Sequence, residues 1–251
     1  MIKLFEAACS ANPRPGYDLP EMIVQQFIDI FTKFGMKPGP RKQILNMGFA
    51  AALETKNLEI LTVLMQNGID VNTMTIEFSS KAKDWSYTEL CLLLLLRFGA
   101  DPFRENLIGK RSMFAFSFEN ALSDVLDVIV KKYPESSVKY FEGEDILFFI
   151  TFDEKKSVDR LKYALEHNLY QIQDGDLRHV LRQANRSFAE VLFQHIKFTN
   201  NQIDETILKE YGLVKRTPHG VAVLIFLLQH YDPSRQTVEM IIQDCLDSGY
   251  L

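Results

Sequence analysis

Five histidines, three cysteines and one acidic turn are the residues of this 251-residue chain whose types could carry chemistry. A metal site needs ligands at matched spacing, and His179 and His219 have no Cys, His or carboxylate so placed. Asp174-Gly175-Asp176 has two carboxylates but lacks the further oxygen ligands of a calcium loop, and reads as a solvated turn. Cys9, Cys91 and Cys245 stand alone, without C-x-x-C spacing. They form neither a disulfide framework nor a zinc site, and they suit a reducing, cytoplasmic compartment. His167, His195 and His230 each fall in the last turn of an expected helix, where the helix dipole favours a cation. No phosphate-binding glycine loop, nucleophile elbow or H-E-x-x-H is present. A Cys–His nucleophile pair could only be assembled by the fold. The expectation is therefore no catalytic residue, no metal, no cofactor and no small-molecule substrate.

The elements that would have to position any site are helices. Asn57 to Asn72 sets the pattern: Leu58, Ile60, Leu61, Leu64 and Met65 recur at helical spacing, and Asn67-Gly68 ends the run. Glycine takes the left-handed conformation of a helix stop without steric cost. Ile69-Asp70-Val71-Asn72 then forms a short extended tip. Phe34-Gly35-Met36-Lys37-Pro38 precedes this unit and Phe98-Gly99-Ala100-Asp101-Pro102-Phe103 follows it, so the glycines lie 33 and 31 residues apart. Each is preceded by an amphipathic run, from Met22 to Phe31 and from Leu90 to Leu96.

Helix, glycine stop and G-x-D-x-N tip, at a period of about 33 residues, resemble the end of an ankyrin repeat. Ala52, Glu54, Leu58 and Glu59 match that family, while its Thr-Pro-Leu-His opening is missing. The resemblance implies an all-α, ankyrin-like solenoid of about seven helix-turn-helix repeats with hairpin-like tips. Residues 1–251 then make a single domain, in which 1–103 hold the three clearest repeats and 104–251 hold degenerate ones. In such a stack each pair buries its apolar face only against its neighbours, leaving no separate catalytic lobe.

Several local expectations follow. Pro20 suits the first turn of a helix, and Lys37-Pro38-Gly39-Pro40 reads as a rigid tip. Met113 to Phe118 leads into Leu122–Ile129, ending near Lys132. Ile146–Phe152 leads into Val158–Leu165, with Asn168 as the left-handed cap. Leu177–Leu181 leads into Phe188–Ile196, where Ser187-x-x-Glu190 has the form of a capping box. Ile203–Leu208 leads into Val221–Leu228, and a closing helix covers 237–246. Most of the 19 phenylalanines are expected to be stacking residues.

The charged balance of 28 basic against 33 acidic residues disfavours nucleic-acid backbones as a partner. No apolar run approaches the roughly 20 residues of a membrane span, and the first residues read as a helix rather than a signal peptide. The ankyrin resemblance implies a non-enzymatic protein-binding module, which uses its tips and concave face. Carried over by position, its contacts are Met36, Lys37, Ile69, Asp70, Asn72, Asp101, Phe103 and Arg104. Trp85 with Tyr87, just before the helix of Leu90–Leu96, suits either a further interface anchor or a buried contact between repeats. Asp70 and Asp101 suit Asx hydrogen bonds within the tips, whereas nothing in a repeat demands Lys37, Ile69, Phe103 or Arg104. The wide departure from the family consensus, rich in Phe, Ile and Lys, resembles ankyrin proteins of intracellular bacteria and large viruses. That style implies an effector binding a host protein in the host cytoplasm. Leu19-Pro20-Glu21-Met22-Ile23 with Phe27-Ile28 also resembles the opening of an F-box, which would make the chain an adaptor for a ubiquitin ligase. The Cys and Trp usual downstream of that opening are missing.

Overall fold

The computed structural model describes residues 2–11, 20–78, 85–141, 150, 154–170, 177–178, 186–195, 197–214 and 218–247. Among these residues the chain is all-helical, with thirteen α-helices, one 3-10 turn and no strand. It divides into two compact units, Met1–Ser117 with Asp124–Ile129, and Phe118–Ser123 with Val130–Leu251.

In the first unit, α1 (Ile2–Cys9), α2 (Pro20–Lys33), α3 (Pro38–Glu54) and α4 (Leu58–Gln66) form two stacked pairs. Within the pairs α1 packs on α2 and α3 on α4; between them α1 packs on α3 and α2 on α4. Proline opens both α2 and α3, since a first-turn residue needs no N–H. Pro38-Gly39-Pro40 is thus the first turn of α3 and not a tip. α1 buries Phe5 and Cys9, whereas Leu4 is exposed. Phe5 meets Phe27 and Phe31 of α2 edge-on at 6.0 and 5.5 Å. On α3, Gly48 is a packing requirement: a Cβ there would lie 2.6 Å from the Phe5 ring and 2.9 Å from Cys9 Sγ. Asn57 is buried and caps α4 by accepting from Ile60 N at 3.0 Å, while its Nδ2 donates to Ala11 O at 3.2 Å.

The three glycine stops all take positive φ, at +64° for Gly35, +94° for Gly68 and +83° for Gly99. Gly35 and Gly99 carry the same wrap, in which Met36 N reaches Phe31 O and Ala100 N reaches Leu95 O, each at 3.0 Å. α5 runs from Trp85 to Arg97, so it begins well before the apolar run at Leu90.

Helices α6 (Met113–Asn120) and α7 (Ser123–Lys132) follow, with Met113, Phe114, Phe118, Val125, Leu126 and Ile129 buried. The second unit continues with α8 (Pro134–Tyr140), which no expectation covered, and α9 (Glu154–Glu166). The predicted segment Ile146–Phe152 lies, apart from Ile150, outside the described residues. Arg160 of α9 is buried and donates to Ile150 O and Glu119 O, and Lys156 donates to Asn120 O at 3.0 Å. These cations satisfy carbonyls at the C-terminal end of α6. Asn168 stands after α9 at φ +53°, with Leu169 N on Ala164 O at 2.8 Å, as expected of a left-handed cap.

α10 (Arg186–His195), α11 (Asn200–Val214), α12 (Pro218–His230) and α13 (Arg235–Asp247) complete the unit. Here α9 packs on α10, α10 on α12, α11 on α12 and α11 on α13. Ser187 lies inside the first turn of α10 and Glu190 pairs with Arg186 at 2.8 Å, so the expected capping box is instead an i,i+4 ion pair. The start of α13 is held by Asp204 of α11, which accepts from Ser234 N at 3.0 Å and from Thr237 Oγ1 at 2.7 Å. Tyr211 donates to Asp244 at 3.1 Å from one of these helices to the other. The closing helix therefore anchors itself through polar groups, and its Val238, Ile242 and Leu246 are exposed.

Candidate interaction surface

The second tip begins where α4 ends. Asp70 Oδ1 accepts from Asn72 N at 3.0 Å, and a 3-10 turn covers Val71–Thr73. The third tip repeats the device, with Asp101 Oδ1 accepting from Phe103 N at 3.0 Å. These are Asx turns, in which a short carboxylate replaces a backbone acceptor.

Two side chains join the tips. Asn72 Nδ2 donates to Gly99 O at 2.9 Å, and Asn72 Oδ1 accepts from Asp101 N at 2.7 Å. Arg104 Nη1 donates to Met74 O at 2.8 Å and also reaches Val71 O at 3.4 Å. Beyond them Ile76 N donates to Leu107 O at 2.7 Å and Gly109 N to Ile76 O at 2.9 Å, so residues 76 and 107–109 pair edge to edge. A tight turn at Gly109, with φ +60°, folds Ile108 against Arg111. This small hairpin went unseen in the sequence, because a pair of single-residue bridges leaves no alternating run.

The premise that nothing in the fold demands Ile69, Phe103 or Arg104 does not hold. Ile69 is buried. Phe103 lies with its ring 5.2 Å from that of buried Phe114. Arg104 is bound to the backbone of the preceding tip. Lys37 is exposed and Met36 half-buried, as a free tip allows. Asp70 and Asp101 are exposed, while Asn72 is half-buried by its bridging role. Trp85 is the first residue of α5 rather than a loop residue, 41% exposed, with its ring 6.4 Å from Phe116. Neighbouring Tyr87 instead ties α5 to the preceding pair, donating to Leu53 O at 3.3 Å.

Sequence reasoning passed over Phe34, the apolar residue at the start of the first tip. It is 79% exposed, well above Trp85. Its counterpart in the third tip, Phe98, is half-buried, and that in the second, Asn67, donates to Val63 O at 2.8 Å and Gln25 Oε1 at 2.9 Å. The signal that could have exposed it is charge. Residues 30–53 hold Lys33, Lys37, Arg41 and Lys42 and no acid, within a chain of net charge −5.

The residues weighed for chemistry take structural roles where they are described. Burial pushes the Cys9 and Cys91 thiols up to about 12, far from a nucleophile's range. His195 Nδ1 lies 2.9 Å from Val191 O and His230 Nδ1 2.8 Å from Phe226 O, each tying the ring to its own last turn. His167 stacks on Tyr163 at 4.2 Å. The Asp174-Gly175-Asp176 turn and His179 lie outside the described residues, as do the side chains of His219 and Cys245. Among the described residues no group of three or more His, Cys, Asp or Glu could hold a metal ion, and no helix is long and apolar enough to cross a membrane. Leu19 of the F-box-like segment is also outside them, and Pro20 is buried at the head of α2.

Comparison of the chain with family models, with curated proteins and with solved structures finds no match in any of the three.

Proposed function

We propose that the chain is a non-enzymatic protein-binding module, built of ankyrin-like stacked helix pairs, that holds its partner across the second and third tips. The observation that carries this reading is the bridge from Asn72 and Arg104 to the neighbouring tips, which fixes Asp70, Asp101 and Phe103 in one frame. A surface ordered before binding has less conformational entropy to lose on docking. Further support comes from glycine stops recurring 33 and 31 residues apart, all at positive φ. The helix packing, one element onto the next but one, is what a stack of pairs requires. In keeping with the effector-like style of the sequence, the partner is read as a host protein.

The test uses a change of charge that spares the fold. Asp70→Asn with Asp101→Asn keeps both Asx acceptors and removes both charges. Proteins captured by the wild-type chain from a host-cell lysate are identified and then measured in direct binding. The double substitution is expected to weaken the direct interaction while leaving the melting temperature nearly unchanged. Equal binding by both chains would take the partner away from these tips.

A further inference from the structure

Beside the bridged tips, the first tip has a different chemistry. Phe34 projects at 79% exposure, between exposed Lys33 and Lys37, with exposed Lys42 and half-buried Arg41 one turn into α3. The N-terminus of α3 adds the positive end of its dipole at the same place, and no side chain caps it. From Lys33 to Lys42 the sequence Lys-Phe-Gly-Met-Lys-Pro-Gly-Pro-Arg-Lys has no carboxylate, hydroxyl or amide side chain. Two of its residues are prolines, which have no N–H to donate.

We infer that this tip docks the protein onto an anionic phospholipid surface, with Phe34 entering the headgroup region and the exposed Lys33, Lys37 and Lys42 facing the lipid phosphates and carboxylates. Charge complementarity selects an anionic occupant. The exposed phenyl ring goes further, because a free phosphate or other soluble anion has no use for an apolar group held out in water. An acidic protein is the other candidate, but its interface would pair donors with acceptors to set a register, and residues 33–42 carry no side-chain oxygen acceptor, only cationic donors. This tip offers cationic donors and one ring, the combination by which interfacial segments bind membranes without spanning them. Exposed Ile30, one turn back on α2, extends the apolar side toward the same tip.

The experiment is co-sedimentation of the full chain with phosphatidylserine–phosphatidylcholine vesicles, beside pure phosphatidylcholine vesicles and soluble polyglutamate. Binding is expected to the anionic vesicles alone and to weaken with added salt. Phe34→Ala should lower it by roughly tenfold or more, and Lys37→Gln by roughly fivefold. Phe34 and Lys37 are exposed, so circular dichroism should show both variants folded like the wild type. Equal sedimentation with the two vesicle types, or wild-type binding by Phe34→Ala, would overturn the inference. Binding to polyglutamate without binding to vesicles would also overturn it and assign the tip to an acidic polypeptide. Because the substitutions lie outside the second and third tips, loss of lipid binding and loss of the proposed protein partner are separate results.

Discussion

Asn72 grips the backbone around Asp101: its Oδ1 accepts from Asp101 N at 2.7 Å, and its Nδ2 donates to Gly99 O at 2.9 Å, two residues earlier. One side-chain amide thereby imitates a pair of strand hydrogen bonds between tips 29 residues apart along the chain. Substitution Asn72→Ala removes both bonds. It should destabilise the first unit by about 1–3 kcal/mol, read from urea unfolding monitored by tryptophan fluorescence at Trp85. Asn72→Asp retains the acceptor and sets a carboxylate against Gly99 O, so it should be no better than alanine. An unchanged midpoint in both variants would show that the bridge contributes nothing.

Gly48 makes a second, steric prediction. Gly48→Ala places a methyl group 2.6 Å from the Phe5 ring, which itself packs against both Phe27 and Phe31. The ring has no cheap way to move, and overpacking of this kind costs about 1–3 kcal/mol. Phe5→Leu should recover part of that loss, making the double variant less than additive in thermal unfolding. Strict additivity would mean the two residues do not press on each other.

The left-handed caps predict opposite responses to one kind of change. At Gly35, alanine must adopt φ +64°, which should cost about 1–2 kcal/mol. At Asn168, already strained at φ +53°, glycine should be neutral or stabilising by a few tenths to about 1 kcal/mol. Paired melting curves check the contrast, and a stabilising Gly35→Ala would refute the assigned conformation.

The buried thiols link stability to alkaline pH. Cys9 and Cys91 titrate near 9 when unfolded and at about 12 in the fold, because burial opposes the thiolate. A folded-state pKa raised above the unfolded one gives stability that is whole below pH 9 and is lost as pH climbs toward 12. The double variant Cys9→Ala, Cys91→Ala should therefore show a shallower alkaline fall than the wild type. Both thiols should also react with a thiol reagent only after denaturation. Fast labelling of either in the native protein at neutral pH would contradict their burial.

Local physics is what the sequence displays. Gly35, Gly68, Gly99 and Asn168 end helices where their conformational freedom says they should. Most of the periodic apolar residues of α4, α7 and α10 face inward, though Val128 of α7 is exposed and Leu58 of α4 half-buried, and His195 and His230 settle onto their own last turns. Each of these depends on residues within one or two turns of one another, so spacing alone suffices. The candidate interaction surface was less legible. Arg104 and Phe103 looked free because their partners, Met74 and Phe114, are defined only once the tips are laid side by side. Phe34 and Phe98 each stand just before a glycine stop, yet one is exposed and the other half-buried.

What the residues determined unaided is the all-helical character, the stops and the repeat spacing, since helix periodicity and left-handed caps are short-range effects. The tertiary structure alone decided which tip residues serve the fold and which meet solvent. That choice is made by hydrogen bonds and contacts reaching some 27 to 33 residues along the chain, a distance at which sequence order says little about who touches whom.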